Sequence, residues 1–230
     1  MTTARQIRDL VHSLLERNTD VIHVGGNFLW LRPIGLVGRQ ILIDRTGRAI
    51  CFAVRWHLTE LFMPDNSTWD SLGRCKERIA RSEGFYGGTG WYWTDPTIMD
   101  DFITRVEADA IAVLRPLDTT RKCLEFARTH LPSDGYLGPK WHLIAAIALG
   151  ELDRAREIWA EMGSYYRRGI PSEWDYAPTF PRYRLLDEPL MANDRAALAA
   201  ILNGWAAENV NGSPLEPYWE PSPLPLELDQ

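Results

Sequence analysis

Residues 40–61, QILIDRTGRAICFAVRWHLTEL, decide the fold class, because two runs of alternating side chains flank a group of turn-forming residues. The turn residues at 44–48 predict the loop of a β-hairpin. Successive side chains of a strand point to opposite faces of the sheet. The face predicted to lie in the core carries Ile50, Phe52, Val54, Trp56 and Leu58. The opposite face is mixed and carries Cys51, Ala53, Arg55, His57 and Thr59.

The residues before this hairpin extend the sheet. Aromatic and branched side chains predict three strands, at 27–34, 40–44 and 49–61. Their connections are too short to hold a crossover helix, so we expect an antiparallel meander. The sequence predicts an amphipathic helix before the strands. Thr3 and Gln6 form a capping-box pattern, and an apolar stripe follows from Ile7.

The residues after the hairpin favour helices. We expect a short helix at 71–82, followed by a helix that Asp95 and Pro96 start and Pro116 ends. Gly150 interrupts a pair of apolar stripes, as in a helical hairpin. The further predicted helical regions are 119–130, 138–168 and 192–208. Prolines predict loops in the segment before the last of these helices and in the tail.

One helix, then strands, then a run of helices is the order of an α+β fold. We divide the chain into a sheet domain, 1–135, and a helical extension packed on it, 136–230, although one continuous domain fits the same pattern. The end of the chain is rich in proline, and residues 206–230 hold five acids and no base. This end is either a free acidic tail or a segment that wraps the domain through Trp219 and its leucines.

Composition narrows the functional classes. A net charge of −6 argues against a nucleic-acid partner, and the absence of a long apolar run argues against a membrane partner. Three widely spaced cysteines fit a reducing cytoplasm. Arginine greatly outnumbers lysine, and alanine, glycine and proline are frequent, which suggests a bacterial genome of high GC content.

The stretch SEGFYGGTGWYWTDP, residues 82–96, raises the question of a ligand loop. A phosphate loop requires a lysine and a hydroxyl residue at the start of a helix, and the helix here begins only near Pro96. We therefore favour a structural bend ending in a short strand or ordered loop packed on the meander. The alternative is a binding loop that exposes Trp91, Tyr92 and Trp93, since aromatic residues are enriched at binding hot spots.

The mixed sheet face supplies the second candidate site. Arg55 and His57 share this face, and Arg32 lies on a neighbouring strand. An open face of this kind is suited to an anion or to an acidic protein surface. The alternative is that helices cover the face and that acids pair with its arginines.

No pattern in the sequence indicates catalysis or a bound cofactor. The five histidines form no metal-binding motif, and no nucleophile elbow is present. Cys51 and His57 are six residues apart on one strand, which separates them by roughly 20 Å. We therefore assign no catalytic residue, metal or cofactor, and we favour a non-enzymatic role.

Two segments carry a resemblance to a known group of proteins. They are NTDVIHVGGNFLWLRPIGLVGRQILIDRTGRAICFAVRWHLTELF, at 18–62, and VEADAIAVLRPLDTTRKCLEFA, at 106–127. Over roughly residues 5–130 the chain resembles bacterial α+β domains of unknown function, some of which are suspected immunity proteins of toxin systems. The resemblance implies a partner protein with a basic surface, because acidic immunity proteins recognise such partners by electrostatic complementarity. A small-ligand binder or an enzyme that uses the basic sheet face is the alternative function.

Overall fold

The computed structural model describes residues 2–45, 50–64, 69–70, 73, 75–82, 90–130, 138–167 and 180–228. Helix α1 (Ala4–Arg17) has the predicted capping box between Thr3 and Gln6. An antiparallel meander follows, and its strands are β1 (Val21–Val24), β2 (Phe28–Leu31), β3 (Val37–Asp44), β4 (Cys51–Glu60) and β5 (Cys75–Ile79). A two-residue strand, β6 (Trp91–Tyr92), pairs with the start of β4. The predicted α+β fold is therefore confirmed.

Two details of the predicted sheet are wrong. Within the range 71–82, where we expected a helix, the described residues Cys75–Ile79 form β5 and pair with β4 instead. Its charged residues resemble a helix surface, but charges are also typical of an edge strand, where they discourage pairing with other chains. The sequence also missed β1 as a separate strand. Gly25 and Gly26 both have positive φ and form the turn between β1 and β2.

Most predicted helices are present. Residues 98–114 form one helical run, which consists of α2 (Ile98–Val106), a π-helical turn (Glu107–Ile111) and α3 (Ala112–Leu114). The next helices are α4 (Thr120–His130), α5 (Pro139–Leu149) and α6 (Leu152–Arg167). Two short helices, α7 (Phe180–Arg184) and α8 (Asp187–Met191), lie where prolines predicted only loop. They precede α9 (Arg195–Val210) and α10 (Pro225–Leu228). None of the helices within the described ranges is long and apolar enough to cross a membrane.

The helices cover one face of the sheet. Trp56 of β4 packs on Phe126 of α4 at 6.1 Å between ring centroids. The indole of Trp141 in α5 donates a 2.7 Å hydrogen bond to buried Glu60. Arg39 extends from β3 to the end of the run at 98–114, and its guanidinium donates to the carbonyls of Leu114 and Arg115. We call this side, which carries Arg39, Ile41, Val54, Trp56 and Leu58, the helix face.

The end of the chain wraps the domain and is not a free tail. Leu215, Leu224 and Leu226 are fully buried. Trp219 forms an isolated parallel β-bridge with Ile34, and its indole N–H donates a hydrogen bond to the carbonyl of Gly35 at 3.2 Å. The buried side chains from α1 to α10 belong to one hydrophobic cluster, so the helical half and the sheet share a core.

Replacing Gly150 by alanine is expected to lower the free energy of unfolding by ~1–2 kcal/mol, because Gly150 ends α5 in the left-handed conformation that alanine avoids. A Cβ at this position would also lie 2.7 Å from Nη2 of Arg195. Urea denaturation measures the change. The matched control is Gly204→Ala in α9, where an added Cβ meets nothing within 4 Å and alanine is expected to stabilise the helix by up to about 1 kcal/mol. Equal effects of the two substitutions would contradict this assignment.

Candidate functional site: a buried polar row

The strand register lines up polar side chains across the middle of the sheet. Trp30 of β2 lies opposite Gln40 of β3, Gln40 lies opposite His57 of β4, and His57 lies opposite Lys76 of β5. Residues that face each other across neighbouring strands project from the same side of the sheet, with their Cα atoms about 5 Å apart. These residues therefore form one line on the face opposite the helices. We call Trp30, Gln40 and His57 the polar row.

The polar row is buried and lacks hydrogen-bond partners. All three side chains are 0% exposed. The indole nitrogen of Trp30 and both amide atoms of Gln40 form no hydrogen bond with the described part of the protein, and the ring nitrogens of His57 have only a contact with the Gly73 backbone that falls outside hydrogen-bond geometry. Each unsatisfied buried polar group costs about 1–3 kcal/mol, and native proteins contain few of them. Five such atoms on one face of the described sheet are an unusual concentration, which makes the row a candidate binding site.

Two glycines fix the position of the aromatic end of the row. A Cβ built on Gly38 of β3 would lie 2.2 Å from the ring of Trp30. A Cβ built on Gly25 would lie 2.2 Å from the ring of Trp69, whose centroid is 6.2 Å from that of Trp30. Each glycine therefore makes room for one tryptophan. The indole of Trp30 is held between Gly38 and Trp69, which fixes the direction of its unpartnered N–H.

Burial keeps His57 neutral, and the basic end of the row adds to the effect. Burial and then the charges of Lys76 and Arg55 lower the pKa of His57 to about 4, against a smaller opposing effect from the backbone of Gly73. At neutral pH the imidazole therefore offers one donor and one acceptor. Arg55 lies two residues before His57 on the same face. Its Nη2 is 3.6 Å from a carboxylate oxygen of Asp44, whereas its buried Nε has no partner in the described part of the chain.

The structure brings together only some of the residues that the sequence singled out. Arg55 and His57 do share a face, but that face is closed over His57. Arg32 lies elsewhere, in an open cleft of about 370 Å³ beside Asp20, where its Nη2 is 3.6 Å from Glu220. Arg32 and Arg55 therefore have different acidic partners, and Arg32 does not contribute to the polar row.

The aromatic residues at 91–93 are packed into the protein. Trp91 is 0% exposed, and its indole donates to the carbonyl of Ile79 at 3.0 Å. Trp93 donates to the hydroxyl of Thr2, and its ring lies 4.4 Å from that of Phe52. Phe52 also stacks on Trp91, so the two tryptophans project together as the alternation predicts. Tyr92 is half-buried. The glycines at 84, 87 and 88 lie outside the described residues.

Sequence reasoning missed Trp30, Gln40 and Lys76 as site residues. None of them belongs to a motif, and they become neighbours only through the strand register. The one available signal was Gln40 itself, a polar residue that directly precedes the apolar Ile41, Leu42 and Ile43 in the predicted strand. Burial raises the pKa of the Cys123 thiol to about 12, so the thiol is protonated at neutral pH.

Comparison with protein-family models, with curated proteins and with solved structures finds no significant match to this chain. The resemblance to immunity-like domains therefore stays a prediction.

Proposed function

We propose that this chain binds a small polar molecule at the polar row. The observation that supports the proposal is the set of five buried polar atoms without partners on three neighbouring strands. A bound molecule would supply the missing hydrogen bonds. Side chains on a packed sheet are also held in fixed positions, which is the arrangement that precise recognition requires.

A purely structural role explains these residues less well. Some neighbouring positions on the same face are apolar and buried, namely Phe28, Leu42 and Ala53. Apolar residues at the polar row would pack there without the desolvation cost of unpaired groups. Proteins retain such locally unfavourable choices mainly where function needs them.

A thermal-shift screen with metabolites tests the proposal. At a concentration one hundred times its Kd, a ligand that binds only the folded state stabilises it by about 2.7 kcal/mol, which raises the melting temperature measurably. We expect at least one compound to give such a shift in the wild type and none in Gln40→Leu. The control is Ile41→Val, on the same strand but on the helix face, which should retain the shift. A shift that survives in Gln40→Leu would contradict binding at the row.

Protein interaction is the second candidate function. It is supported by large apolar side chains that are more than half exposed, which are Ile50, Leu185, Met191 and Leu228. The acidic composition fits a basic partner protein. Recovery of a stoichiometric partner from a lysate of the native host would favour this role, and its absence would count against it.

A further inference from the structure

We infer that a small oxyanion binds in a cavity between β3, the start of α4 and the end of the chain. The cavity has a volume of about 80 Å³, several times the roughly 10–15 Å³ that one water molecule needs. Arg39 of β3 lines it, so the cavity lies on the helix face, whereas the polar row projects from the opposite face. The inference therefore concerns a second site and does not rest on the proposed function.

The lining of the cavity contains one charge without a counter-charge. Its charged residues are Arg39, Asp118 and Glu220. Asp118 pairs with Lys122 at 2.8 Å, and Glu220 lies 3.6 Å from Arg32. Arg39 is only 3% exposed, yet it forms no ion pair with any residue in the described ranges. Because a buried charge is costly unless it is paired, the unpaired guanidinium favours an anion in the cavity.

Arg39 also has hydrogen-bond donors that the protein does not use. Its Nη1 donates to the carbonyls of Leu114 and Arg115, and its Nη2 donates to the carbonyl of Pro33. A guanidinium has five N–H groups, so at least two of them, including that of Nε, have no acceptor among the residues that the structure describes. The donors of a guanidinium form a planar fork that matches the oxygens of a carboxylate or a similar oxyanion.

Thr120 supplies a further donor from the opposite wall of the cavity. Its side chain is 6% exposed and lines the cavity, and its hydroxyl forms no hydrogen bond within the described part of the chain. Thr120 is also the first residue of α4, and the N-terminal end of a helix attracts negative charge. An oxyanion that accepts from both Arg39 and Thr120 would satisfy two buried polar side chains at once.

The cavity is connected to an open cleft. Pro33 and Glu220 line the cavity, and both also line the cleft of about 370 Å³ that contains Arg32. An anion from solvent enters through this cleft, where the side chain of Arg32 is 48% exposed. Glu220 and Ser222 belong to the wrapped end of the chain, so this end forms one wall of the site.

Salts of small oxyanions test this inference. The probes are sodium acetate, nitrate and phosphate, with sodium chloride at equal ionic strength and acetamide, the neutral analogue of acetate, as references. We expect at least one oxyanion to raise the melting temperature with a saturating concentration dependence, which gives its Kd, and we expect neither reference to do so. Acetate and the inorganic anions distinguish a carboxylate ligand from an inorganic one. The same response to every sodium salt would overturn the inference, and so would no response, which would mean that the cavity holds only water.

The variant Thr120→Val locates the anion. It removes the hydroxyl but keeps the shape of the side chain, and we expect it to raise the Kd about tenfold, the factor that one hydrogen bond to a charged group provides. Arg39→Met should abolish binding, and Thr120→Val covers the case in which Arg39→Met does not fold. The matched control is Thr129→Val on the same helix, whose exposed hydroxyl donates to the carbonyl of Glu125. An unchanged Kd in Thr120→Val would overturn the inference.

The variant Gln40→Leu separates this site from the polar row. Gln40 projects from the opposite face of the sheet, so the variant should bind the oxyanion as the wild type does. Metabolites too large for the cavity remain the test of the polar row. If Gln40→Leu loses the oxyanion and Thr120→Val retains it, the anion lies at the polar row, and the inference is wrong while the proposed function stands.

Discussion

Replacing Arg81 by methionine is expected to lower the free energy of unfolding by about 3–5 kcal/mol, the range found when one partner of a buried ion pair is removed. The side chain of Arg81 is 4% exposed and pairs with Asp95 and with Asp101, the second at 2.9 Å from its Nε. It also donates to the hydroxyl of Thr97 at 3.1 Å. These contacts join the end of β5 to the start of α2, and their loss leaves the carboxylate of Asp95 buried without a counter-charge.

Urea denaturation of three variants tests this assignment. The control is Arg154→Met, because Arg154 and Glu157 form an exposed pair that is expected to contribute less than about 1 kcal/mol. Adding Asp95→Asn to Arg81→Met should recover part of the loss, since it removes the uncompensated charge. If Arg81→Met costs no more than the exposed control, the network does not hold β5 to α2.

Acidification from pH 7 to pH 4.5 is expected to remove roughly 2–3 kcal/mol of stability through His57 alone. The pKa of His57 falls from its ordinary value of 6.5 to about 4 in the folded protein, first through burial and then through Lys76 and Arg55. Between these two values the unfolded chain binds a proton that the folded chain does not. The contribution of neutral His57 to the free energy of unfolding is therefore fully present above pH 6.5, and it is lost as the pH falls towards 4.

The effect of His57 is isolated by subtracting the pH profile of His57→Gln from that of the wild type. Other groups titrate in the same range, but they contribute equally to both proteins. We expect the difference to be flat above pH 7 and to change by the stated amount towards pH 4.5. A difference that stays flat over the whole range would mean that His57 is protonated or hydrated in the folded state.

The sequence predicted the fold class, because local patterns determine it. Each of these patterns acts within a few residues and is present in the structure: the capping box at Thr3, the alternation of β4, and Gly150, which ends α5. The polar row could not be predicted in the same way. A loop confined to residues 44–48 would pair Ile43 with Ala49, whereas the structure pairs Ile43 with Val54. This shift of five residues decides that Gln40 lies opposite His57.

The strand β5 illustrates a second limit of sequence reasoning. Its residues Lys76, Glu77 and Arg78 carry no apolar alternation, and they form a strand because the edge of β4 is available for pairing. Tertiary context therefore overrides local propensity at this position. The burial of Trp91 is similar, since its place in the core depends on pairing with Phe52 of β4.

The unfolding free energy of Gln40→Leu, measured without ligand after refolding and dialysis, tests the central claim most directly. If the amide of Gln40 is buried and unsatisfied, leucine removes that desolvation cost, and we predict that the variant is more stable than the wild type by about 1–3 kcal/mol. A loss of stability of similar size would contradict the account, because it would mean that the amide already makes its hydrogen bonds within the protein.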